Sequence, residues 1–370
     1  MKLTWLAVGM LCLLLPQTIG AIGLAPHPQG KLVATEAMSA KRAAHTATAL
    51  PDGRVLVAGG FTERGSARGA EIYDSQAGRF TSLPPMQTTR HSHTATLLRD
   101  GRVLLAGGYG EGADSLATAE LFDPATNTFV ATGSLVGGRA DHVAILLEDG
   151  KVLIAGGLGP GWSFLSSAEL YDPETGRFAV TGGMTAARES HASVRLQDGR
   201  VLVVGGHNGV RRNLTLLASC EIYDPSSGEF GPGGDMKVRR HKHDAVLLSD
   251  GRVLITGGSD ERDGEGVYNS SELFDPESQT FEVGPLMQRG RYKHAGTSVV
   301  LEDGRVLVAG GAPQAEVYDP AENAFALVPG EPRMAGQFSA SAPLGNRGVL
   351  ITGGYGNGGG PRESAWLYQH

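Results

Sequence analysis

The chain of 370 residues has only two cysteines, Cys12 and Cys220, too few for a disulfide framework. Positive charge is not in excess: 32 Lys and Arg stand against 39 Asp and Glu, a net charge of −7. That balance excludes attachment to nucleic acid or to an anionic membrane through bulk charge. After the first residues no apolar run reaches the length that spans a bilayer. No segment sustains an apolar period near 3.6, so a helical fold is not expected. A glycine-rich phosphate loop between strand and helix is missing, as is a nucleophile elbow.

Glycine is abundant instead, with 55 residues, but without the three-residue period of collagen and alongside 41 % hydrophobic residues, which argues against disorder. At the start, Met1-Lys2 precedes the apolar run Leu3 to Leu15, followed by Pro16 and small residues as far as Gly23. This is the order of a secretory signal, so residues 1–23 are expected to be removed by cleavage after Gly20 or Gly23, taking Cys12 with them. The chain is then expected to be secreted, periplasmic or at the cell surface, without integral membrane insertion once the signal is cleaved. Retention of the segment as an anchor is the alternative.

Self-alignment decides the architecture. The string DGRVLVAGG at Asp52 to Gly60 returns, with small changes, in copies ending at Gly108, Gly157, Gly206, Gly258 and Gly311, and a degenerate copy, NRGVLITGG, ends at Gly354. The spacings are 48, 49, 49, 52, 53 and 43 residues, a period that belongs to propellers and solenoids. Each unit reads as four strands. A first segment of small and aliphatic residues ends in Asp-Gly, suited to a tight hairpin in which both central positions take positive φ. The apolar VLVAGG run follows, then a loop of variable length, then EIYD, ELFD, ELYD or EVYD, and after a turn a strand opening on Phe80, Phe129, Phe178, Phe230, Phe281 or Phe325. Seven such units are expected over residues 24–370, but the last has only Gln369 and His370 after its third strand. Gly30 to Thr35 matches Asn127 to Thr132, with Leu32 in the aromatic position, so an N-terminal outer strand is expected to close an all-β, seven-bladed propeller.

The apolar run with Gly-Gly, then Glu-x-Tyr/Phe-Asp-Pro, then an aromatic, resembles the kelch repeat over about Gly30 to His370, with Phe where the family more often has Trp. The likeness is closest to bacterial exported kelch-repeat proteins and implies the scaffold more firmly than an activity.

A second pattern recurs before each first strand: Arg42…His45, Arg90…His93, Arg139…His142, Arg188…His191, Arg240…His243 and Arg291…His294. Around a channel these could form an anion or metal site. Blade seven argues against it, because Gly336, Ser339 and Trp366 replace the Arg, the His and the third-strand Glu together. Each Arg is therefore expected to pair with a repeated Glu, and each His to cap local backbone. The Asp of each Asp-Gly and Asp-Pro pair reads as turn chemistry, not calcium binding.

Recognition is expected where the units differ, on the loops between second and third strands and between blades. The residues singled out for binding are Arg90, His91, Trp162, Phe164, His207, Arg211, Arg212, His241, Arg291 and Tyr292. They suit an exported non-catalytic module that recognises a protein or glycan around the channel. No catalytic residue, cofactor or metal is assigned. The alternatives are a carbohydrate mutarotase or epimerase-like enzyme using Glu189 with His191, or Asp141 with His142, and a purely structural surface protein. A copper radical oxidase of the galactose oxidase type shares the scaffold but needs a cysteine crosslinked to a tyrosine. Cys220 instead takes the place of Ala70, Ala119 and Ala168 and is expected to pack as a small apolar group.

Overall fold

Four consecutive apolar residues in each second strand can be buried only if both faces of the sheet are covered. Val55–Ala58, Val103–Ala106, Val152–Ala155, Val201–Val204 and Val349–Thr352 are fully buried in this way. In the computed structural model, which describes residues 30–209, 213–330, 336–356 and 359–369, these strands are the second of four in antiparallel sheets. The first sheet runs Thr46–Ala49, Arg54–Ala58, Ala70–Asp74, Arg79–Ser82, and five more follow the same order. The expected signal, residues 1–23, lies outside the described residues, as do Arg211 and Arg212.

The seven first strands neighbour one another in sequence order and the seventh returns to the first, so they are innermost and line an axial channel. Apolar clusters lie between adjacent blades. Val55, Val57 and Tyr73 of blade 1, for example, pack on Ala342, Leu350 and Ala365 of blade 7.

The seventh sheet is ordered Lys31–Ala34, Ala365–Gln369, Val349–Thr352, Ala340–Pro343, outside to inside. Leu32 faces Tyr368 as Phe80 faces Tyr73, so the N-terminal strand occupies the outer register of blade 7. Thr35 then bonds the Tyr73 hydroxyl of blade 1 at 2.9 Å, the same bond that Thr132 makes to Tyr171. The ring is closed as the repeat arithmetic requires.

The Asp-Gly hairpins differ from expectation. Leu50 O accepts from Gly53 N and Arg54 O from Leu50 N, giving a three-residue loop Pro51-Asp52-Gly53 in which only the glycine takes positive φ, 85°. The aspartate stays in an ordinary conformation and accepts from the Arg54 amide at 3.1 Å. The Asp-Pro aspartates likewise accept from the amide two residues on, as Asp123 does from Ala125 at 2.8 Å.

Because residues 31–34 supply an entire outer strand, deletion of Lys31 to Glu36 would bare the edge of Ala365–Gln369 and unpin blade 1 from blade 7. The shortened chain is expected to melt at least several degrees lower in a calorimetric scan. An unaltered melt would show that the strand contributes nothing to closure.

Candidate binding site on the loop face

The repeated arginines and glutamates form the frame of one face. Each Arg pairs with the Glu of its own blade: Arg42–Glu71 at 2.8 Å, Arg90–Glu120 at 2.9 Å, Arg139–Glu169 and Arg188–Glu221 at 2.7 Å, Arg240–Glu272 at 2.9 Å and Arg291–Glu316 at 2.7 Å. The guanidinium also donates to the carbonyl of the first glycine of the pair, as Arg42 does to Gly59 at 2.8 Å. The Arg backbone carbonyl accepts from the second glycine of the preceding blade, as Arg90 does from Gly60 at 2.9 Å. A Cβ on Gly59 would lie 2.5 Å from that Arg90 oxygen, and Gly59 and Gly60 have φ of 64° and 104°, so both positions require glycine. In blade 7 the Arg register is held by Gly336, whose carbonyl accepts from Gly311 at 3.3 Å.

The histidines do not cap local backbone. His45, His93 and His142 reach the preceding blade, where Nε2 bonds Thr352 at 2.8 Å, Thr46 at 3.2 Å and Thr94 at 3.0 Å. With His294, whose Nε2 bonds the Thr256 carbonyl of the preceding blade at 3.0 Å, these three are struts between blades; His191 and His243 are buried in the same register.

Between each Arg and His the chain turns into the left-handed region. Ala44, Ser92, Asp141, Ser190, Lys242, Lys293 and Phe338 all have φ between 51° and 57°, and none is glycine. Six backbone hydrogen bonds link them around the axis, among them Ser92 N to Ala44 O at 3.0 Å and Phe338 N to Lys293 O at 2.7 Å. All seven collar residues, with His45, His93, His142 and His191 beside them, line a cavity of about 200 Å³ in the channel. Sequence reasoning missed the collar. Its only signal is a residue that varies freely inside the otherwise constant Arg…His frame.

The residue before each collar position pairs with the residue just after a Gly-Gly: His91 with Tyr109, Ala140 with Leu158, Glu189 with His207, His241 with Ser259. Side chains of the blade entry and of the variable loop are thus brought together. Phe61, His91, Tyr109 and Trp162 make successive ring contacts with centroids 5.2, 5.3 and 5.7 Å apart. Phe164 touches His207 at 5.5 Å and His207 touches His241 at 4.7 Å. The short ribbon of Leu158–Gly159 with Ser163–Phe164 carries Trp162 and Phe164, joining the two runs into one arc over blades 1 to 5.

Along this arc a directed hydrogen-bond chain runs through blades 4 and 5. If His207 Nε2 donates to Glu189 at 3.3 Å, its Nδ1 must accept from His241 Nδ1 at 3.1 Å, and His241 Nε2 then accepts from the Ser259 hydroxyl at 3.0 Å. Burial pushes His207 down to about 3 and His241 to about 4, so both rings are neutral at neutral pH. Burial raises Asp141 to about 6 and, with the Asp141 charge beside it, Glu189 to about 7.

Of the residues singled out from sequence, Trp162 is the most open, 64 % exposed, with Phe164 and His91 partly exposed on the same arc. His207 and His241 lie on the arc but are buried, and reach outward only through Glu189 and each other. Arg90 and Arg291 are corrections: at 0 % exposure, their guanidinium groups face inward to Glu120 and Glu316 and cannot contact a ligand. Tyr292 is also buried, lying under the Lys293 ammonium at 4.9 Å. Glu189 is not beside His191, as an acid/base pair would need; its imidazole partner is His207.

Residues 42–87 and 190–237 match the Kelch motif, in blades 1 and 4. The chain is a kelch-repeat β-propeller. A solved structure described as a novel fungal alcohol oxidase with catalytic diversity among the AA5 family, in complex with copper, superposes with a TM-score of 0.69 at 16 % identity, over 92 % of this chain and 76 % of that one. At that identity it shares the fold alone. No curated protein matches the chain. Among the described residues of this kelch propeller, His, Cys, Asp and Glu form no cluster of three able to hold a metal. The Cys220 thiol lies among Val204, Ile222 and Met236, and burial pushes it up to about 12. His207 and His241 bring two Nδ1 atoms together, but Glu189 and Asp263 address the opposite nitrogens. No described helix is long and apolar enough to cross a membrane.

The histidine struts give the kelch propeller a distinctive pH response. Burial holds His45, His191 and His294 down near 3 and His93, His142 and His243 well below their ordinary value. Above about 6.5 neither folded nor unfolded chain protonates them; below it the unfolded chain binds protons first, and stability falls toward pH 3 by about 1.4 kcal/mol per pH unit per histidine. Asp141, Glu189 and the buried Asp244 act oppositely, the folded state taking up their protons first, but they are three against nine, since burial also lowers His91, His207 and His241. The melting temperature is expected to be flat from pH 7 to 8 and to drop steeply below 6.5. A melt unchanged between pH 7.5 and 5 would refute neutral, buried struts.

Proposed function

We propose that the chain is an exported, non-catalytic binding module whose loop face around the channel recognises a protein or glycan, with a glycan favoured. The observation that carries this reading is the arc of rings from Phe61 to His241, with Trp162 open to solvent at its centre. Flat apolar faces interleaved with hydroxyls and imidazole nitrogens suit sugars, which present an apolar face and a rim of hydroxyls. Ser66, part-exposed and bonded to His91 Nδ1 at 2.8 Å, supplies such a polar group beside the rings.

The Glu189–His207–His241–Ser259 chain favours one second reading. It would hold the Glu189 carboxyl in place as a general acid or base, in keeping with a mutarotase or epimerase-like enzyme.

A glycan array and titration calorimetry on the purified protein are expected to find a ligand whose affinity falls about tenfold or more in Trp162→Ala, the loss of one well-packed aromatic anchor. Ligands that bind Trp162→Ala as well as the parent would move the site off the arc. Anomeric turnover of the same sugars, lost in Glu189→Gln, would promote the enzyme reading. Export is supported by the basic, apolar, small-residue order of residues 1–23. The intact mass of the native protein is expected to begin at Ala21 or Leu24, and a mass that includes Met1 would refute cleavage.

A further inference from the structure

The inner strand of blade 6 departs from its six counterparts. The repeated histidine and the leucine that closes the hairpin are five positions apart in blades 1 to 5, as His243 and Leu248 are, and Ser339 and Leu344 keep that distance in blade 7. His294 and Leu301 are seven apart. Thr297 lies opposite Ala309 as Thr46 lies opposite Ala58, so the two extra residues are Ala295 and Gly296. Gly296 has a φ of 71°, and a Cβ on it would meet nothing within 4 Å, so the glycine answers a backbone demand and not a packing one. Both extra residues are exposed between the buried His294 and Thr297, and Ala295 joins the collar in lining the channel cavity.

One carboxylate collects the amides of this insertion. Asp244, buried at the start of the inner strand of blade 5, accepts from Gly296 N at 2.9 Å through Oδ1, and from Thr297 N at 3.0 Å and Ser298 N at 2.8 Å through Oδ2. Its own neighbour Ala245 donates to Oδ1 at 3.0 Å. Three successive N–H groups turned on one anion form a backbone nest. Blades 1 and 2 have Thr46 and Thr94 at the Asp244 position, where no insertion follows in the next blade.

The insertion also bears on the seam between blades 6 and 7. Elsewhere the next blade's histidine packs against the first glycine of the pair: a Cβ on Gly59 would lie 2.7 Å from His93 Cε1, and one on Gly107 would lie 2.8 Å from His142 Cε1. Blade 7 offers only Ser339 in that register, and the space beside Gly310 is taken by Thr297, whose Cγ2 and Oγ1 both lie 2.7 Å from the corresponding point. Thr46 and Thr94 bond the incoming histidine, whereas Thr297 receives none and donates to the His294 carbonyl at 2.5 Å. We propose that Asp244, the Ala295-Gly296 insertion and Thr297 act as one clasp. The carboxylate holds the insertion as the anion of a nest, and the insertion seats Thr297 in place of the histidine strut that Ser339 does not supply. The clasp thereby fixes the part of the cavity wall carried by Ala295, whatever the loop face binds.

Calorimetric melts of the full chain at pH 8 test both halves of the clasp. Asp244→Ala is expected to melt at least about 4 °C below the parent, because three amides lose their acceptor. Formate, small enough to enter the emptied nest, should recover part of that loss relative to chloride at equal ionic strength while leaving the parent unchanged. A loss that formate does not reduce, or no loss at all, would overturn the nest. Ser339→His is expected to lower the melt of the parent, where Thr297 already fills the space, and to raise that of a chain without Ala295 and Gly296. A change of the same sign in both chains would overturn the replacement of the strut. Where the shortened chain does not fold, Thr297→Ala takes its place in this comparison. Where Asp244→Ala does not fold, Asp244→Asn decides instead: it should cost stability in the parent and little without the insertion, and equal costs would overturn the clasp.

Discussion

The buried pair of guanidinium and carboxylate in six of the seven blades is the contact on which the rest of this structure depends. Each Arg neutralises its Glu, satisfies the first glycine carbonyl and, through its own backbone, the second glycine amide of the blade before. Each Glu uses its remaining lone pairs on the amides of the segment that enters the blade, as Glu120 does on Gln87 at 2.7 Å and Thr88 at 3.1 Å. One ion pair therefore fixes the inner turn, the glycine exit and the entry segment of a blade in a single network. Leaving either partner buried alone would cost about 3–5 kcal/mol, which explains why blade 7 lost Arg, His and Glu together and filled the space with Trp366. A coordinated loss is tolerable where a single one is not.

That frame explains why so much of the fold could be read from the chain and so little of the site. Blade number, strand order, the closing role of Leu32 and the Arg–Glu pairing all follow from residues that repeat, because a repeated residue answers to a repeated local demand. The hairpin was misjudged for a physical reason. Asp-Gly fits a two-residue turn, but the preceding Pro51, Arg99, Glu148 or their equivalents join it in a three-residue loop closed by the glycine alone. Arg90 and Arg291 were misjudged because the same guanidinium chemistry serves an internal carboxylate or an external anion, and only burial separates the two. The chain from Glu189 to Ser259 joins residues 70 positions apart and depends on which loop faces which entry turn, a relation with no periodic trace.

The collar shows the other side of this division. Seven residues held at φ above 50° without glycine store strain that the surrounding network must support, and the inter-blade backbone bonds at those positions are what supports it. Once the backbone is fixed by the frame, the side chain at each collar position is released from any structural duty. It can be Ala, Ser, Asp, Lys or Phe without changing the fold. A symmetric scaffold in this way presents an asymmetric rim, acidic and aromatic toward blades 2 to 4 and basic toward blades 5 and 6.

The rim also limits the chemistry this face can perform. The carboxyl of Glu189 is the outward end of a chain whose other members are buried, so any proton exchanged with a ligand must pass through that carboxyl; Ser259, at the inner end, is closed to a substrate. With both imidazoles held neutral by burial, the chain orients Glu189 without adding charge, and the local field at the mouth is set by Asp141, Glu189 and the Asp263–lysine group alone. The face thereby carries two independent features, an aromatic arc that offers shape and apolar surface and carboxylates that carry charge. Because the arc is carried by variable loops and the carboxylates by blade-entry turns, either can change by substitution without disturbing the ion pairs beneath. That separation allows one scaffold to hold its fold while the side chains of the rim above it vary.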